Sequence, residues 1–300
     1  MQIAVSGSSG LIGSALVSVL TAGGHRVFRL VRGIAPGADS IRWDPSVGVR
    51  DVALAEGLDA GVHLAGENIG AGRWTARRKA EIRQSRIEGT RRLSESLARL
   101  ARRPKALVSA SAIGFYGDRG AEALNEDSPP GNDFLAQVCR EWEKATAPAA
   151  EAGIRVVNLR FGVVLSPAGG ALRKMLLPFR MGAGGRIGSG RQFMSWIALD
   201  DAVGAIRHAL ITESLAGPVN AVAPSPVTNT EFTRTLARVL RRPAIAPLPA
   251  FAARLAFGEM ADALLLSSQR VLPTRLQASG YTFRFPDLEG ALRHLLGRTA

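Results

Sequence analysis

Met1-Gln2-Ile3-Ala4-Val5-Ser6-Gly7-Ser8-Ser9-Gly10-Leu11-Ile12-Gly13 opens the chain and decides its fold class. Ile3 to Val5 is a short apolar run that stops at a glycine cluster. The cluster gives way to Leu11, Ile12, Ala15, Leu16, Val19 and Leu20, spaced for one face of a helix. Strand, glycine-rich turn and helix in that order form the setting of a nucleotide-phosphate loop. Gly7 supplies a dihedral that other residues resist, Gly10 lets backbone approach a pyrophosphate, and Gly13 lets helix pack on strand. Backbone N–H groups at the helix start then face an anion with the macrodipole behind them. The spacing is G-x-x-G-x-x-G rather than G-x-G-x-x-G. Placed between this strand and this helix, it reads as a dinucleotide site more than as a plain tight turn. Gly7, Ser9, Gly10, Leu11, Ile12 and Gly13 are the first candidate cofactor contacts.

Working outward, His25 to Val31 reads as a second buried strand, ending Leu30-Val31-Arg32-Gly33. An acid near this point binds the ribose 2′-hydroxyl of NAD, whereas an arginine accommodates the 2′-phosphate of NADP. With no acid present, Arg32 favours NADP(H) over NAD, and Arg29 lies close by in sequence. Ile41 to Pro45 looks like a third strand and Asp59 to Leu64 a fourth. The latter ends in Leu64-Ala65-Gly66, small residues against which an adenosine could lie. Asp44, Leu64, Ala65, Gly66, Ser109 and Arg160 complete the candidate cofactor contacts.

A helix is expected from Trp74 to about Arg102, a strand from Lys105 to Ser109, a helix carrying Phe134, Val138 and Trp142, and a sixth strand from Ile154 to Leu159. Strands alternating with helices predict an α/β fold, a Rossmann-type doubly wound parallel sheet. Residues 166–197, broken by glycines and studded with Arg180, Arg186 and Arg191, are expected to shape the substrate pocket. Thr228 to Glu231 is a capping box opening an apolar helix. Two regions are expected: an NAD(P)-binding Rossmann domain over 1–225 and a smaller, mostly helical C-terminal lobe over 226–300.

The formal net charge of +13 raises nucleic acid as a partner, but the arginines are scattered and aromatics make up 6%. A small-molecule substrate with an anionic group fits better, and neither nucleic acid nor membrane is expected. Cys139 is the only cysteine, which excludes an intramolecular disulfide or a cysteine zinc cage. A strand starting at residue 2 leaves no room for a targeting peptide, so a soluble, cytoplasmic protein is expected. Oligomeric state is not legible.

The set Gly7-x-x-Gly10-x-x-Gly13, Ser109-Ala110-Ser111 with Tyr116-Gly117, and Trp196-Ile197 with Asp200-Asp201 resembles the extended short-chain dehydrogenase/reductase superfamily. Gly169 to Leu172, Pro178-Phe179, Gly188 to Gln192 and Ala223 to Asn229 are similar to its atypical "epimerase family" subgroup, the NAD-dependent epimerase/dehydratase type. Arg242-Pro243, Gly258 to Met260 and Arg270 to Pro273 extend the likeness into the helical C-terminal domain of that subgroup. The resemblance implies hydride transfer with a nicotinamide cofactor and proton transfer through a Tyr-x-x-x-Lys pair. Here the two positions fall at Leu135 and Cys139, which cannot do that work. The serine of the set survives as Ser111, and Arg86 stands where an asparagine is expected. Cys for Lys and Arg for Asn are typical of the subgroup. The expectation is therefore an NADP(H)-binding protein acting as a nucleotide-sugar or small-carbonyl epimerase or oxidoreductase. Ser111, Cys139, Tyr116 and Arg86 are its candidate catalytic residues. The alternative is an NADP(H) sensor or regulator without catalysis.

Overall fold

A computed structural model describes residues 1–33 and 37–298. Its centre is an eight-stranded sheet. In chain order the strands are β1 (Gln2–Ser6), β2 (Arg26–Val31), β3 (Ser40–Asp44), β4 (Gly48–Val49), β5 (Ala60–His63), β6 (Ala106–Ala112), then, after a short β7 (Ala123–Leu124), β8 (Arg155–Phe161). Three more short strands, β9 (Val163–Leu165), β10 (Phe193–Met194) and β11 (Trp196–Ala198), precede the last strand of the sheet, β12 (Gly217–Ala221). The spatial order is β12-β8-β6-β5-β1-β2-β3-β4. All neighbours are parallel except β3 and β4, a hairpin the sequence did not announce because Gly48-Val49 is too short to show a period.

Both faces of the sheet are covered, which is why its strands read as nearly continuous apolar runs. On one face α1 (Leu11–Ala22) and α7 (Leu199–Ile211) bury Leu16, Leu20, Ile206 and Ala209 against Ile3, Val5, Val62 and Val108. On the other, after a short α2 (Val52–Ala55), α3 (Ala76–Ala98) buries Leu93 and Leu97 against Ala4, Leu30 and Leu107. Helices α4 (Phe134–Lys144) and α5 (Ala147–Glu151) continue this second layer.

Helix α3 is shorter than the expected span from Trp74 to Arg102. The Thr75 side chain accepts the Arg78 N–H at 3.1 Å and starts the helix at Ala76, and Arg99 closes it. Trp74 instead packs beside Met260 and Ile82, its indole donating to the Ile69 carbonyl at 2.8 Å. Strand β8 runs past Leu159 to Phe161, because Arg160 and Phe161 keep pairing with Ser111 and Ala112. The glycine-rich segment contains α6 (Gly170–Arg180), whose buried Leu172, Leu176 and Phe179 follow helical spacing that the surrounding glycines obscured.

Beyond β12, the strand β13 (Val227–Thr228) leads into α8 (Asn229–Leu240). There Thr228 accepts from the Glu231 N–H, and Glu231 accepts from the Thr228 N–H at 2.7 Å, the expected capping box. Within the C-terminal lobe expected to be mostly helical, Gly258, with φ of +61°, separates α9 (Ala250–Phe257) from α10 (Glu259–Ala261). A widened turn follows over Asp262–Leu266. After β14 (Arg270–Val271) come α11 (Thr274–Ala278) and α12 (Leu288–Leu295). Helices α6, α8 and α12 share a second apolar core built on Leu176, Phe232, Leu236 and Leu292. Among the described residues no helix is long and apolar enough to cross a membrane.

Candidate functional site

The strand order reverses between β1 and β5, and ligands of open α/β sheets bind outside the carboxyl ends of strands at such a point. The glycine turn sits there. Gly7 adopts φ of +66°, and a β-carbon on it would stand 2.7 Å from the Leu64 carbonyl carbon. One on Gly13 would collide with the Gly7 carbonyl oxygen, so the first turn of α1 can lie on β1 only with glycine at that position. Gly10 N–H closes the turn onto Gly7 O at 2.9 Å, and Gly10 caps α1 with no side-chain hydrogen bond. No acidic residue occupies the first turn of α1, so its free N–H groups keep their positive end for an external anion.

A cleft of about 310 Å³ opens here, lined by Gly7, Gly10, Leu11, Ile12, Gly13 and Leu64 from the sequence reading. Ala110, Val163, Val164, Gly170 and Ala171 complete it. Gly170 and Ala171 fall within the 166–197 segment expected to shape a pocket, whereas Ala110, Val163 and Val164 were not singled out. Val163 and Val164 lie on β9, which pairs with β11, and no local pattern announces a strand of that length. Ser9 is exposed at the turn, Ala65 is half-buried and Gly66 is exposed just past β5. Arg32 is exposed immediately beyond β2, whose Leu30 pairs with Ser6 at the end of β1. Asp44 ends β3 and binds the Ser46 N–H at 2.8 Å and the Ser46 hydroxyl at 2.6 Å, contacts that hold its carboxyl below the usual range.

Beneath the turn, Ser6 Oγ accepts from Leu64 N–H at 3.2 Å and Ala65 N–H at 3.4 Å. Ser6 Oγ also shares a hydrogen bond with His63 Nδ1, 2.7 Å away. Ser6 thus ties the end of β5 to the end of β1, a role invisible in a sequence where serines flank the glycines anyway. His63 is fully buried against the edge of Trp43, and burial pushes its pKa down to about 4, so the ring is neutral.

The candidate catalytic residues divide into two groups. Ser111 donates to Glu143 Oε1 at 2.7 Å, and Arg160 donates to both Glu143 oxygens at 2.7 and 2.8 Å. Arg160 also donates to Tyr116 Oη at 2.9 Å and lies 3.5 Å from the centre of the Phe115 ring. Tyr116 donates to Asn220 Oδ1 at 2.7 Å, and the Asn220 amide reaches Leu272 O at 3.0 Å. This buried chain runs from β6 to the C-terminal segment. It engages the guanidinium of Arg160, expected as a cofactor contact, with Glu143 and Tyr116. Tyr116 is fully buried with its hydroxyl committed and its pKa raised, by burial above all, so it is not placed as a proton donor. Ser109 is likewise fully buried, its hydroxyl turned to the Ala110 carbonyl at 3.4 Å, and is not among the cleft-lining residues.

The second group is Cys139, Leu135 and Arg86. Cys139 is buried, and its thiol is pushed up to about 12, by burial first and by Glu143 second. A thiol held that high is poorly matched to acid–base work near neutral pH, which weighs against the role expected of Cys139. Leu135 belongs to an apolar cluster with Ile69, Trp74, Phe134 and Leu264. Arg86 lies over the Trp142 ring at 5.1 Å and donates to Ile82 O at 3.2 Å, close under Gly66.

A sequence profile of the NAD dependent epimerase/dehydratase family matches residues 3–221, and one of a domain of unknown function matches 248–295. Epimerase family protein Mb2239 of Mycobacterium bovis is 45% identical over 296 residues, covering 99% of this chain and 98% of its own. The crystal structure of the human epimerase family protein SDR39U1 with NADPH superposes with a TM-score of 0.91 at 38% identity, over all of both chains. A nucleoside-diphosphate sugar epimerase structure from Corynebacterium glutamicum gives 0.83 at 40% identity, covering 99% of this chain and 58% of that one.

Proposed function

Because this chain belongs to the NAD dependent epimerase/dehydratase family, we propose that it is a cytoplasmic NADP(H)-dependent oxidoreductase or epimerase of a small carbonyl compound or nucleotide sugar. The observation that carries the reading is the pair of forced close approaches, Gly7 on Leu64 and Gly13 on Gly7, which leave open N–H groups at the switch point. Such a turn fits a pyrophosphate, with Ser9, Gly10, Leu11 and Ile12 around it. Leu64, Ala65 and Gly66 would border the adenosine side. NADPH in the human relative and Arg32 at the end of β2 both favour the 2′-phosphorylated dinucleotide.

Bound there, the nicotinamide would supply or accept a hydride. Ser111 directs its proton to Glu143, so its oxygen could accept from a substrate hydroxyl only if the substrate reached past the cleft lining to this buried side chain. With Leu135 and Cys139 offering no usable proton, the one exchanged at the substrate oxygen would come from water. The test is calorimetric titration of NADPH and NADH, followed by turnover of NADPH with a panel of carbonyl compounds and sugar nucleotides. The expected result is tighter NADPH binding and a rate that falls in Ser111→Ala. Absence of NADPH binding would refute the reading.

A second reading, a sensor that binds NADP(H) without turning it over, is favoured by Leu135 lying in an apolar cluster where a proton donor is expected. Tight NADPH binding with no turnover across the panel would select it.

A further inference from the structure

Two arginines drawn out of water in this molecule have several partners each: Arg160 bonds both Glu143 oxygens, and Arg155 donates to the carbonyls of Ala209, Leu210 and Leu215. Arg86 departs from this pattern. It is half-buried, its one hydrogen bond is to the Ile82 carbonyl, and its guanidinium lies over Trp142. Among the described residues no carboxylate stands within ion-pair distance of it. Of the two acids whose fields it feels, Cys139 is a buried thiol, and Glu67 is bound by Arg78 at 3.1 Å. Partial desolvation without a counter-charge costs stability, and it lowers the pKa of Arg86, burial being the main cause. An external anion would supply the counter-charge that Arg86 lacks.

The position says where that anion would be. Arg86 Cζ would lie 3.5 Å from a β-carbon on Gly66, two residues past cleft-lining Leu64. Gly66 has no side chain and is exposed, so the guanidinium is covered there by backbone alone. Beside it, Leu135 packs under Gly114, within 3.3 Å of a β-carbon there, and continues into the apolar wall of Ile69, Phe134 and Leu264. Lys79, which lies over the Phe134 ring at 5.1 Å, is paired with Glu259. Arg86 is thus the positive charge beside this wall that lacks an acid partner, the complement of a ligand with an oxygen anion at one end and an apolar body.

We propose that Arg86 is the anion subsite of the substrate pocket, receiving a carboxylate whose apolar remainder lies against Leu135, Ile69 and Phe134. This rests on the cofactor reading only for the identity of the pocket. The same oxygen-anion chemistry could be offered by the cofactor's phosphates, and the arms of the test separate the two.

The test is calorimetry of the full-length protein with trans-cinnamate and with its neutral amide, each without and with saturating NADPH, on wild type, Arg86→Lys and Arg86→Met. NADPH itself is titrated into all three. Expected are cinnamate binding well above that of the amide, a loss of about tenfold or more in Arg86→Met, partial retention in Arg86→Lys, and NADPH affinity little changed. Circular dichroism melts of the variants show whether each is folded. Equal binding of cinnamate and amide by wild type, or undiminished cinnamate binding by folded Arg86→Met, overturns the proposal. So does a loss confined to NADPH, which would assign the anion to the cofactor. Failure of NADPH to bind wild type, with cinnamate still dependent on Arg86, overturns the cofactor reading and leaves the subsite standing.

Discussion

Glu143 Oε1 accepts from Ser111 Oγ and from Arg160 Nε, each at 2.7 Å, so one carboxylate oxygen on α4 joins the carboxyl ends of β6 and β8. Ser111 and Arg160 are register partners across those strands, which places both donors on one face of the sheet beneath α4. The Arg160 side chain is 3% exposed and that of Glu143 12%.

Removal of the acid leaves a buried guanidinium unmatched. Glu143→Ala is expected to lose about 3–5 kcal/mol of folding stability, read as a fall in urea midpoint. Glu143→Gln, which keeps one acceptor oxygen, is expected to lose less. If the alanine variant unfolded at the wild-type midpoint, the chain from Ser111 to Asn220 would not bear on stability.

The glycines of the turn should differ in tolerance. A β-carbon on Gly10 would meet Gly7 O at 3.2 Å, a contact that a small shift relieves, whereas one on Gly13 runs into the Gly7 backbone. Gly13→Ala is therefore expected to cost more than about 2 kcal/mol in denaturant unfolding and to abolish measurable NADPH binding. Gly10→Ala should fold nearly as wild type. Equal effects of the two substitutions would contradict the packing of α1 on β1.

Those two predictions differ in how far the sequence foretold them. Gly7, Gly10 and Gly13 were legible because strand, turn and helix follow one another within a dozen residues, and local pattern reports local structure. Alternation of strands and helices gave the doubly wound sheet for the same reason. The partner of Arg160 was not legible, since it is set by the register of β8 against β6 and by the way α4 lies across both. Tyr116 was misread for a similar reason. Its acceptor, Asn220, is 104 positions away on the edge strand β12. Helix α6 was hidden because Gly169, Gly170 and Pro178 are poor helix formers, and tertiary burial of Leu172, Leu176 and Phe179 overrides them.

Cys139 should be inert. With its thiol buried and pushed up to about 12, the folded protein is expected to resist iodoacetamide at pH 8 and to be alkylated once unfolded in urea. Mass spectrometry after timed quenching reads both states. Rapid modification of the folded protein would restore Cys139 as a candidate acid–base group.

His63 should make stability depend on pH. Its folded pKa, lowered to about 4, lies below the ordinary histidine value of about 6.5, so between them the unfolded chain binds more protons than the folded one. Stability should therefore rise with pH across this window and fall as the pH drops from about 6.5 toward 4. The loss should approach about 3 kcal/mol, and the wild-type slope should exceed that of His63→Asn over the same range. Matching slopes in urea titrations would show that the ring is protonated inside the fold.

Arg32 tests the choice between the two dinucleotides. It stands exposed immediately after β2, one strand from the glycine turn, where a guanidinium can meet a 2′-phosphate without disturbing the core. Because the side chain is in solvent, Arg32→Ala should leave the urea midpoint unchanged. A contact with the 2′-phosphate would be charge-assisted and has no counterpart in NADH, so the substitution should weaken NADPH by about 1.5–3 kcal/mol and NADH hardly at all. The preference should also narrow as salt is raised, since an exposed ion pair is screened within about 10 Å at 0.1 M ionic strength. Parallel titrations of both dinucleotides into both proteins at low and high salt measure all three effects. A uniform loss for NADPH and NADH would show that Arg32 acts on the shared part of the cofactor, and the 2′-phosphate would need another partner.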